Sequence, residues 1–272
     1  MGEQLRVERF KRQTFQRQVW GSSFDCLAGF LGTLNSKLQS SNFNNGGKMK
    51  NINKKLNNLI GKDLKTKNYR SLDSGNYGRA LEEVMGVEEN NLSGPDIQSK
   101  TGNRELKTTD GKARVTLFSK EPKWDVNAKF KRMRNFFDHF CYTSDDGTDR
   151  LNLTLYGDRV NLHGFGLKFE KGKLFIVHDK EGKICSWDYK TLKDKFKSKM
   201  DNTSILEHTN GVVTNHVNHK GISIAQIDKM LKSGDIIVET RLTMKLKGLK
   251  NRGTAFRVSQ GQFSSMYTAE EQ

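Results

Sequence analysis

The sequence GPDIQSKTGNRELKTT occupies residues 94–109 and indicates a loop, a glycine-containing turn and a strand. The loop contains one carboxylate, Asp96, and the strand-like end contains the triplet Glu105-Leu106-Lys107. Because side chains on a β-strand alternate between its two faces, Glu105 and Lys107 are expected on one face and Leu106 in the core. The pattern therefore predicts that two acids and a lysine converge at one point.

Two carboxylates and an amine at one point match the requirements of metal-dependent phosphodiester hydrolysis. Oxygen ligands suit a hard cation such as Mg²⁺, so Asp96 and Glu105 are the candidate metal ligands. Lys107 supplies an ammonium group that can orient or activate an attacking water. A Glu-x-Lys triplet also occurs on the solvent face of ordinary strands, so a surface ion cluster is the alternative interpretation.

The composition favours a polyanionic partner. The chain has 272 residues, with 47 Lys and Arg against 31 Asp and Glu, which gives a formal charge of +16. The basic residues are spread along the whole chain, and such a surface attracts nucleic acid. No apolar run approaches a membrane span, and the three cysteines lack the spacing of a zinc module. We expect a cytoplasmic protein with reduced thiols and no membrane contact.

The chain divides into an N-terminal extension and a larger domain. Residues 1–48 combine arginines and lysines with aromatic residues and end in a polar segment rich in Gly and Asn. This composition predicts a basic helical extension, which is either an arm that contacts DNA or an amphipathic helix packed on the body. Residues 49–272 are expected to form the catalytic and DNA-binding domain.

The larger domain shows alternating helix and strand patterns. Helices are predicted at residues 49–70, 75–86, 129–141, 189–200 and 222–232. Strands are predicted as a meander over residues 151–187 and as a further strand at residues 235–246. Residues 251–257 are interpreted as a compact basic turn that leads into another strand. The overall class is a mixed α+β fold.

Two groups of side chains are candidates for DNA contact on residue chemistry alone. His216 and His219 lie in a segment rich in Asn, Thr and Gly, which indicates a loop where a histidine contacts phosphate or base. A zinc site is not expected, because no second pair of ligands accompanies them. Arg252 and Arg257 each present a fork of donors that suits phosphate or guanine.

The residues of the opening stretch, followed by TLFSKEP at residues 116–122, resemble the PD-(D/E)xK nuclease core of the MutH group. They are most similar to the MvaI/BcnI family of restriction endonucleases. The resemblance extends over about residues 70 to 267 in chain order. It includes GNYGRALE at residues 75–82, SWDY at residues 186–189 and NRGTAFR at residues 251–257.

The resemblance implies a restriction-endonuclease-like core, with a central mixed sheet flanked by helices, and a Mg²⁺-dependent, sequence-specific double-stranded DNA endonuclease. Its products would be a 5′-phosphate and a 3′-hydroxyl, and the enzyme would act as a monomer. In this family pattern Asp96 and Glu105 hold the metal, Lys107 positions water, and Glu82 lies close to the metal site. The DNA contacts implied by the resemblance and by position near the site are Lys120, Lys123, Arg252, Thr254 and Arg257.

The chain departs from the family pattern at two places. Arg252 occupies the position of a family histidine within the segment that reads DNA, and residues 1–50 have no family counterpart. The biological role also has alternatives: a type II restriction enzyme, a homing or mismatch-repair nicking endonuclease, or a DNA-binding protein without catalysis.

Overall fold

The computed structural model describes residues 52–65, 76–87, 94–98 and 102–268. The extension predicted at residues 1–48 lies outside them. The described α-helices are α1 (Ile52–Asn57), α2 (Asn76–Met85), α3 (Met133–Phe140), α4 (Tyr189–Met200), α5 (Ile224–Ser233) and α6 (Gln260–Phe263). The described strands are β1 (Glu105–Thr109), β2 (Val115–Ser119), β3 (Tyr142–Thr143), β4 (Asp149–Leu155), β5 (Phe165–Glu170), β6 (Lys173–His178), β7 (Gly182–Asp188), β8 (Asn202–Thr209), β9 (Val212–Lys220), β10 (Ile236–Lys245) and β11 (Gly248–Val258).

The strands form three sheets. The first has the order β1-β8-β9 and is mixed, because β1 runs parallel to β8 and β9 runs antiparallel to β8. The second has the order β2-β11-β10-β4-β3, and the third is the meander β5-β6-β7; both are antiparallel. The mixed α+β class predicted from the sequence is therefore confirmed.

A large aromatic core joins α4 to the five-stranded sheet. The Phe118 ring on β2 lies 4.7 Å from the Phe196 ring on α4 and 5.0 Å from the Phe256 ring on β11, measured between centroids. All three side chains are buried. Truncating a fully buried phenylalanine costs about 3–5 kcal/mol, so this contact fixes the position of α4.

A smaller core holds α2 against the first sheet. Ala80 and Leu81 of α2 are fully buried and pack with Leu106 of β1 and Leu206 of β8. The helix ends at Gly86, whose φ of +74° suits a residue without a side chain. This packing places the next residue of the helix, Glu82, beside β1.

Most predicted elements are present, with shifted bounds. Within the described part of the helix predicted at residues 49–70, only Ile52–Asn57 is α-helical, and Gly61 then donates its N–H to the Val213 carbonyl of β9. Within the meander predicted at residues 151–187, residues 161–164 are not in a strand, and β5 begins at Phe165. The Asn161 side chain instead accepts the Phe165 N–H and holds a turn.

For two segments the predicted type of secondary structure was wrong. The segment with His216 and His219 is not a loop, because β8 and β9 form an antiparallel hairpin around a turn at Asn210. Its buried apolar residues are Ile205, Leu206 and Val213, which are too few to reveal a strand pattern among the polar residues. Residues 251–257 are not a turn but part of β11, where the ladder has a register shift.

None of the helices in the described ranges is long and apolar enough to cross a membrane.

Two glycines are expected to respond in opposite ways to alanine. A Cβ added at Gly157 would lie 1.9 Å from the Leu231 carbonyl oxygen, which is backbone and cannot rotate away. Gly78 lies inside α2 with no atom within 4 Å of the added Cβ. Gly157→Ala should lower the free energy of unfolding by about 1–3 kcal/mol. Gly78→Ala should raise it by about 1 kcal/mol or less.

Urea unfolding of both variants beside the wild type measures the two effects. A Gly157→Ala protein with the stability of the wild type would contradict the close approach of this loop to the end of α5.

Candidate active site

Asp96 is fixed beside the first strand by backbone and side-chain hydrogen bonds. Ile97 and Arg104 exchange two backbone hydrogen bonds of 2.9 and 2.8 Å, which closes the turn between them. Asp96 Oδ2 then accepts the Leu106 N–H at 2.7 Å. Among the described strands β1 lies at the edge of its sheet, so this N–H has no partner strand there, and the carboxylate satisfies it.

Glu105 is a buried carboxylate that lies between two ammonium groups. Its side chain is 1% exposed. Oε1 accepts a hydrogen bond from Lys107 Nζ on the same face of the strand, as the alternation predicted. Oε2 lies 3.2 Å from Lys199 Nζ, at the C-terminal end of α4. Lys199 also donates to the Gly94 carbonyl at 2.9 Å, so it connects α4 to the loop that contains Asp96.

Two of the three acids of the site, Glu105 and Glu82, have a raised pKa. Burial raises the pKa of Glu105, and the Asp96 charge raises it further, whereas Lys107 and Lys199 lower it. Burial also raises the pKa of Glu82, and Asp96 and Glu105 add to this effect. Asp96 and Glu105 thus act on Glu82 as like charges, and Lys107 and Lys199 act on it as opposite charges. The site therefore has a net negative charge when all five groups are ionised.

The donor set suits a hard divalent cation. Asp96, Glu105 and Glu82 offer oxygen atoms only, and these are the ligands that Mg²⁺ prefers. Glu105 Oε2 is enclosed and accepts no hydrogen bond among the described residues. Those residues contain no ready-made group of three or more Asp, Glu, His or Cys side chains with metal-site geometry. The described residues therefore suit the cation in their ligand atoms and their charge, but their side chains do not already have the geometry of a metal site.

The sequence of this chain also matches a known protein family. The model of the MvaI/BcnI restriction endonuclease family matches residues 52–267. This chain belongs to the MvaI/BcnI restriction endonuclease family. It is thus a DNA endonuclease of the restriction type, and enzymes of this family generally use a divalent metal.

Two solved structures are similar to this MvaI/BcnI family member. The MvaI complex with its cognate DNA substrate has a TM-score of 0.61 and 18% identity, covering 78% of this chain and 93% of that chain. MvaI in the absence of DNA gives a TM-score of 0.43 and 18% identity, covering 70% and 83%. No match was found among curated proteins. The first similarity supports the fold.

Lys199 is the site residue that reasoning from the sequence missed. The composition of α4, with five lysines beside the apolar Leu192 and Phe196, predicts that all five lysines face solvent, but the Lys199 side chain is only 15% exposed. A weak signal for its position exists, because Lys199 follows the buried Phe196 by three residues and so lies beside the inward face of the helix. The other lysines share the same local composition, so the sequence does not single it out.

The C-terminal candidates for DNA contact fall into two groups. Arg252 is exposed on β11. Thr254 is 2% exposed, and its N–H donates to Glu121 Oε1 at 3.0 Å. Arg257 donates to Glu239 at 2.7 Å and to the Arg114 carbonyl at 3.1 Å. Thr254 and Arg257 thus hold the sheet together, whereas Arg252 projects from it.

The two lysines near the site are exposed. The Lys120 N–H donates to the Thr254 carbonyl at 2.9 Å, and the Trp187 indole donates to the Lys120 carbonyl at 2.9 Å. Lys123 exchanges backbone hydrogen bonds with Ser186. Their backbones are fixed by these contacts, and both side chains reach solvent.

The two histidines do not join the carboxylate cluster. His216 Nδ1 makes a 2.7 Å hydrogen bond with Asn57 of α1. His219 stacks on Tyr267, with ring centroids 4.9 Å apart, and burial lowers its pKa. Both lie on β9, which β8 separates from β1. Their contacts are those of packed side chains.

A pH titration of stability should reveal the crowded carboxylates. Glu82 has a raised pKa in the folded state, so the folded protein binds more protons than the unfolded chain between the ordinary and the raised pKa. The Glu82 side chain therefore favours the folded state at low pH and loses this effect as the pH rises through the raised pKa. In EDTA, Glu82→Gln should become more stable than the wild type as the pH rises above about 4.5.

Urea unfolding of both proteins from pH 4 to 8 measures the difference. Glu83→Gln is the matched control, because Glu83 lies next to Glu82 in α2 and is exposed. A stability difference for Glu82→Gln that does not change with pH would contradict the electrostatic description of the site.

Proposed function

We propose that this chain is a Mg²⁺-dependent type II restriction-like endonuclease that hydrolyses double-stranded DNA at a short specific sequence. The products would carry a 5′-phosphate and a 3′-hydroxyl. The observation that supports this proposal is the convergence of Asp96, Glu105 and Lys107 at the edge of β1, with Glu82 beside them. The exposed cations around this edge provide for binding of the phosphate backbone.

Asp96 and Glu105 would hold the cation. Asp96 Oδ1 is left for this role, because Oδ2 accepts the Leu106 N–H. Glu105 presents Oε2, which accepts no hydrogen bond among the described residues. When bound, Mg²⁺ would polarise the scissile phosphate and increase the acidity of a nearby water.

Lys107 would orient the attacking water and stabilise the charge that develops on the phosphate oxygens. Its side chain is 19% exposed, so it lies between the buried carboxylate and solvent. Lys199 would be a positioning residue, since it contacts Glu105 and Gly94 from α4. Glu82 would hold an ordered water near the cation or keep Lys107 in place.

DNA contacts are proposed on the surface around the cluster. Lys120 and Lys123 would contact phosphates beside the site, and Arg252 would contact the duplex from β11. Of the remaining candidates, Thr254 and Arg257 would support this surface through their contacts with Glu121, Glu239 and Arg114, and His216 and His219 through the packing of β9. We propose a monomer that cuts one strand at a time.

Replacing Asp96 by asparagine should abolish cleavage and spare binding. The asparagine side-chain oxygen can still accept the Leu106 N–H, so the fold is retained while a charge needed for the cation is lost. The rate of plasmid cleavage in Mg²⁺ should fall by about 100-fold or more. Affinity for DNA in EDTA should change little.

Supercoiled plasmid incubated with Mg²⁺ or with EDTA reports nicking and linearisation together. Asp194→Asn is a matched control, since Asp194 is an exposed residue of α4 that pairs with Lys190. A gel shift without any cleavage by the wild type would favour a DNA-binding protein without catalysis. Full activity of Asp96→Asn would overturn the assigned catalytic cluster.

A further inference from the structure

One face of the second sheet is strongly basic. On β4, Leu151, Leu153 and Leu155 point into the core, and the alternate residues point outward. The outward side chains of β4, β10 and β11 line a recess of about 190 Å³. We call this surface the basic sheet face; it consists of Arg150, Asn152, Arg241, Thr243, Lys245, Lys250 and Arg252.

The basic sheet face has five cations and no acidic residue in its lining. In the part of the chain that the structure describes, Lys245, Lys250 and Arg252 have no carboxylate within ion-pair distance. Arg150 pairs with Asp146 at its rim, and Arg241 Nε lies 4.0 Å from Glu239. The Nε atoms of both arginines are enclosed without a hydrogen-bond acceptor among the described residues. The surface therefore lacks the acceptors that an anionic ligand would supply.

A bulge in β11 directs one of these cations outward. Thr240 pairs with Thr254 and Leu242 pairs with Asn251, so Arg252 and Gly253 together oppose Arg241. Gly253 has a φ of +87°, which an extra residue in the ladder requires.

Glu121 holds this bulge in place. Its Oε1 accepts the Asn251 side-chain amide at 2.9 Å and the Thr254 N–H at 3.0 Å. Asn251 Oδ1 in turn accepts the Gly253 N–H at 2.7 Å. These hydrogen bonds hold the segment NRGT in place, and the Arg252 side chain is exposed and makes none of them.

The basic sheet face lies at the same end of the fold as the carboxylate cluster. The short loop 110–114 joins β1 to β2, so Glu105 at the start of β1 lies at the end of the fold where β2 stops at Ser119. Ser119 pairs with Ala255, and β11 extends from there toward the tip of its hairpin with β10. One duplex can therefore contact both the cluster and the face.

We propose that the basic sheet face reads base edges in the DNA major groove, with Asn152 and Arg241 specifying two neighbouring base pairs. This inference rests on the proposed function and assigns the specificity of the same enzyme. Asn152 and Arg241 are direct cross-strand partners, so their Cβ atoms are about 5 Å apart on one face. Asparagine forms paired hydrogen bonds with adenine, and arginine does so with guanine.

The two side chains are suited to bases rather than phosphates. Asn152 is neutral and gains little at a phosphate, and its amide donates to the Tyr142 hydroxyl at 3.5 Å, which orients it. Arg241 is half-buried at the centre of the recess. The exposed Lys245, Lys250 and Arg252 lie around them and would neutralise phosphates. The site sequence is accordingly expected to contain an A·T pair next to a G·C pair.

Selection from randomised duplex DNA in EDTA tests the inference without any cleavage. The full-length wild type should enrich a short motif that contains this A·T and G·C step. Asn152→Ala should lose about 5- to 150-fold of the discrimination at the A·T position, and Arg241→Ala the same at the G·C position. Arg241→Lys keeps the charge but loses the fork, so it should show the same loss of discrimination.

Two charge-removing controls separate base reading from general attraction. Lys250→Ala should leave the motif unchanged and reduce the slope of log affinity against log salt by about 0.9. Lys229→Ala removes an exposed cation from α5, which packs on the core side of β10, and should change neither quantity.

Two results would overturn the proposal: a wild type that enriches no motif, or Asn152 and Arg241 variants that enrich the wild-type motif unchanged. Urea unfolding confirms that each variant is folded. Cleavage in Mg²⁺ is measured separately, so a protein that selects its motif but never cuts would remove the nuclease proposal and leave the reading surface intact.

Discussion

A carboxylate with 1% exposure at the start of β1 is the constraint on which the site depends. Enclosing a charge costs several kcal/mol unless opposite charges accompany it. Lys107 comes from the same strand, but Lys199 must be delivered by α4, and α4 is held by the buried Phe196. The hydrogen bond of Asp96 to the same strand completes the cluster. The aromatic core and the candidate active site therefore depend on each other, since loss of the first would remove Lys199 from the Glu105 charge.

The five-stranded sheet connects the surroundings of the carboxylate cluster to the surface that contains Arg252. Phe118 of β2 packs on α4 next to the cluster, and β2 pairs with β11. Directly after β2, Glu121 accepts hydrogen bonds from Asn251 and Thr254 of β11. Strand β2 and the strand that presents Arg252 are therefore connected by backbone pairing and by the Glu121 side chain that follows β2. This connection leaves little freedom for relative movement of the two surfaces.

The sequence predicts the local parts of this arrangement well. Glu105 and Lys107 lie on one strand whose period fixes their directions, and Asp96 lies in the loop just before it. The buried residues Leu192, Phe196 and Met200 of α4 recur at helical spacing, and the helix has the predicted bounds. The sequence does not predict contacts between distant segments. The contact of Lys199 with Glu105 is an example, because the lysines near Lys199 in the sequence are equally plausible partners. The segment NRGT of residues 251–254 looks like a turn because Asn and Gly are typical of turns. Within the ladder of β10 and β11 the same residues form a bulge, and only the partner strands reveal the difference.

The alternation of β4 has a further consequence for how such enzymes diversify. Leu151 and Leu153 maintain stability from the inner side, whereas Arg150 and Asn152 face outward and take no part in the core. Substitutions on the outer side therefore cost little folding free energy and are free to accumulate. A lineage with this sheet can change the outer side chains of β4 by single codon changes while the leucine scaffold beneath them is inherited unchanged.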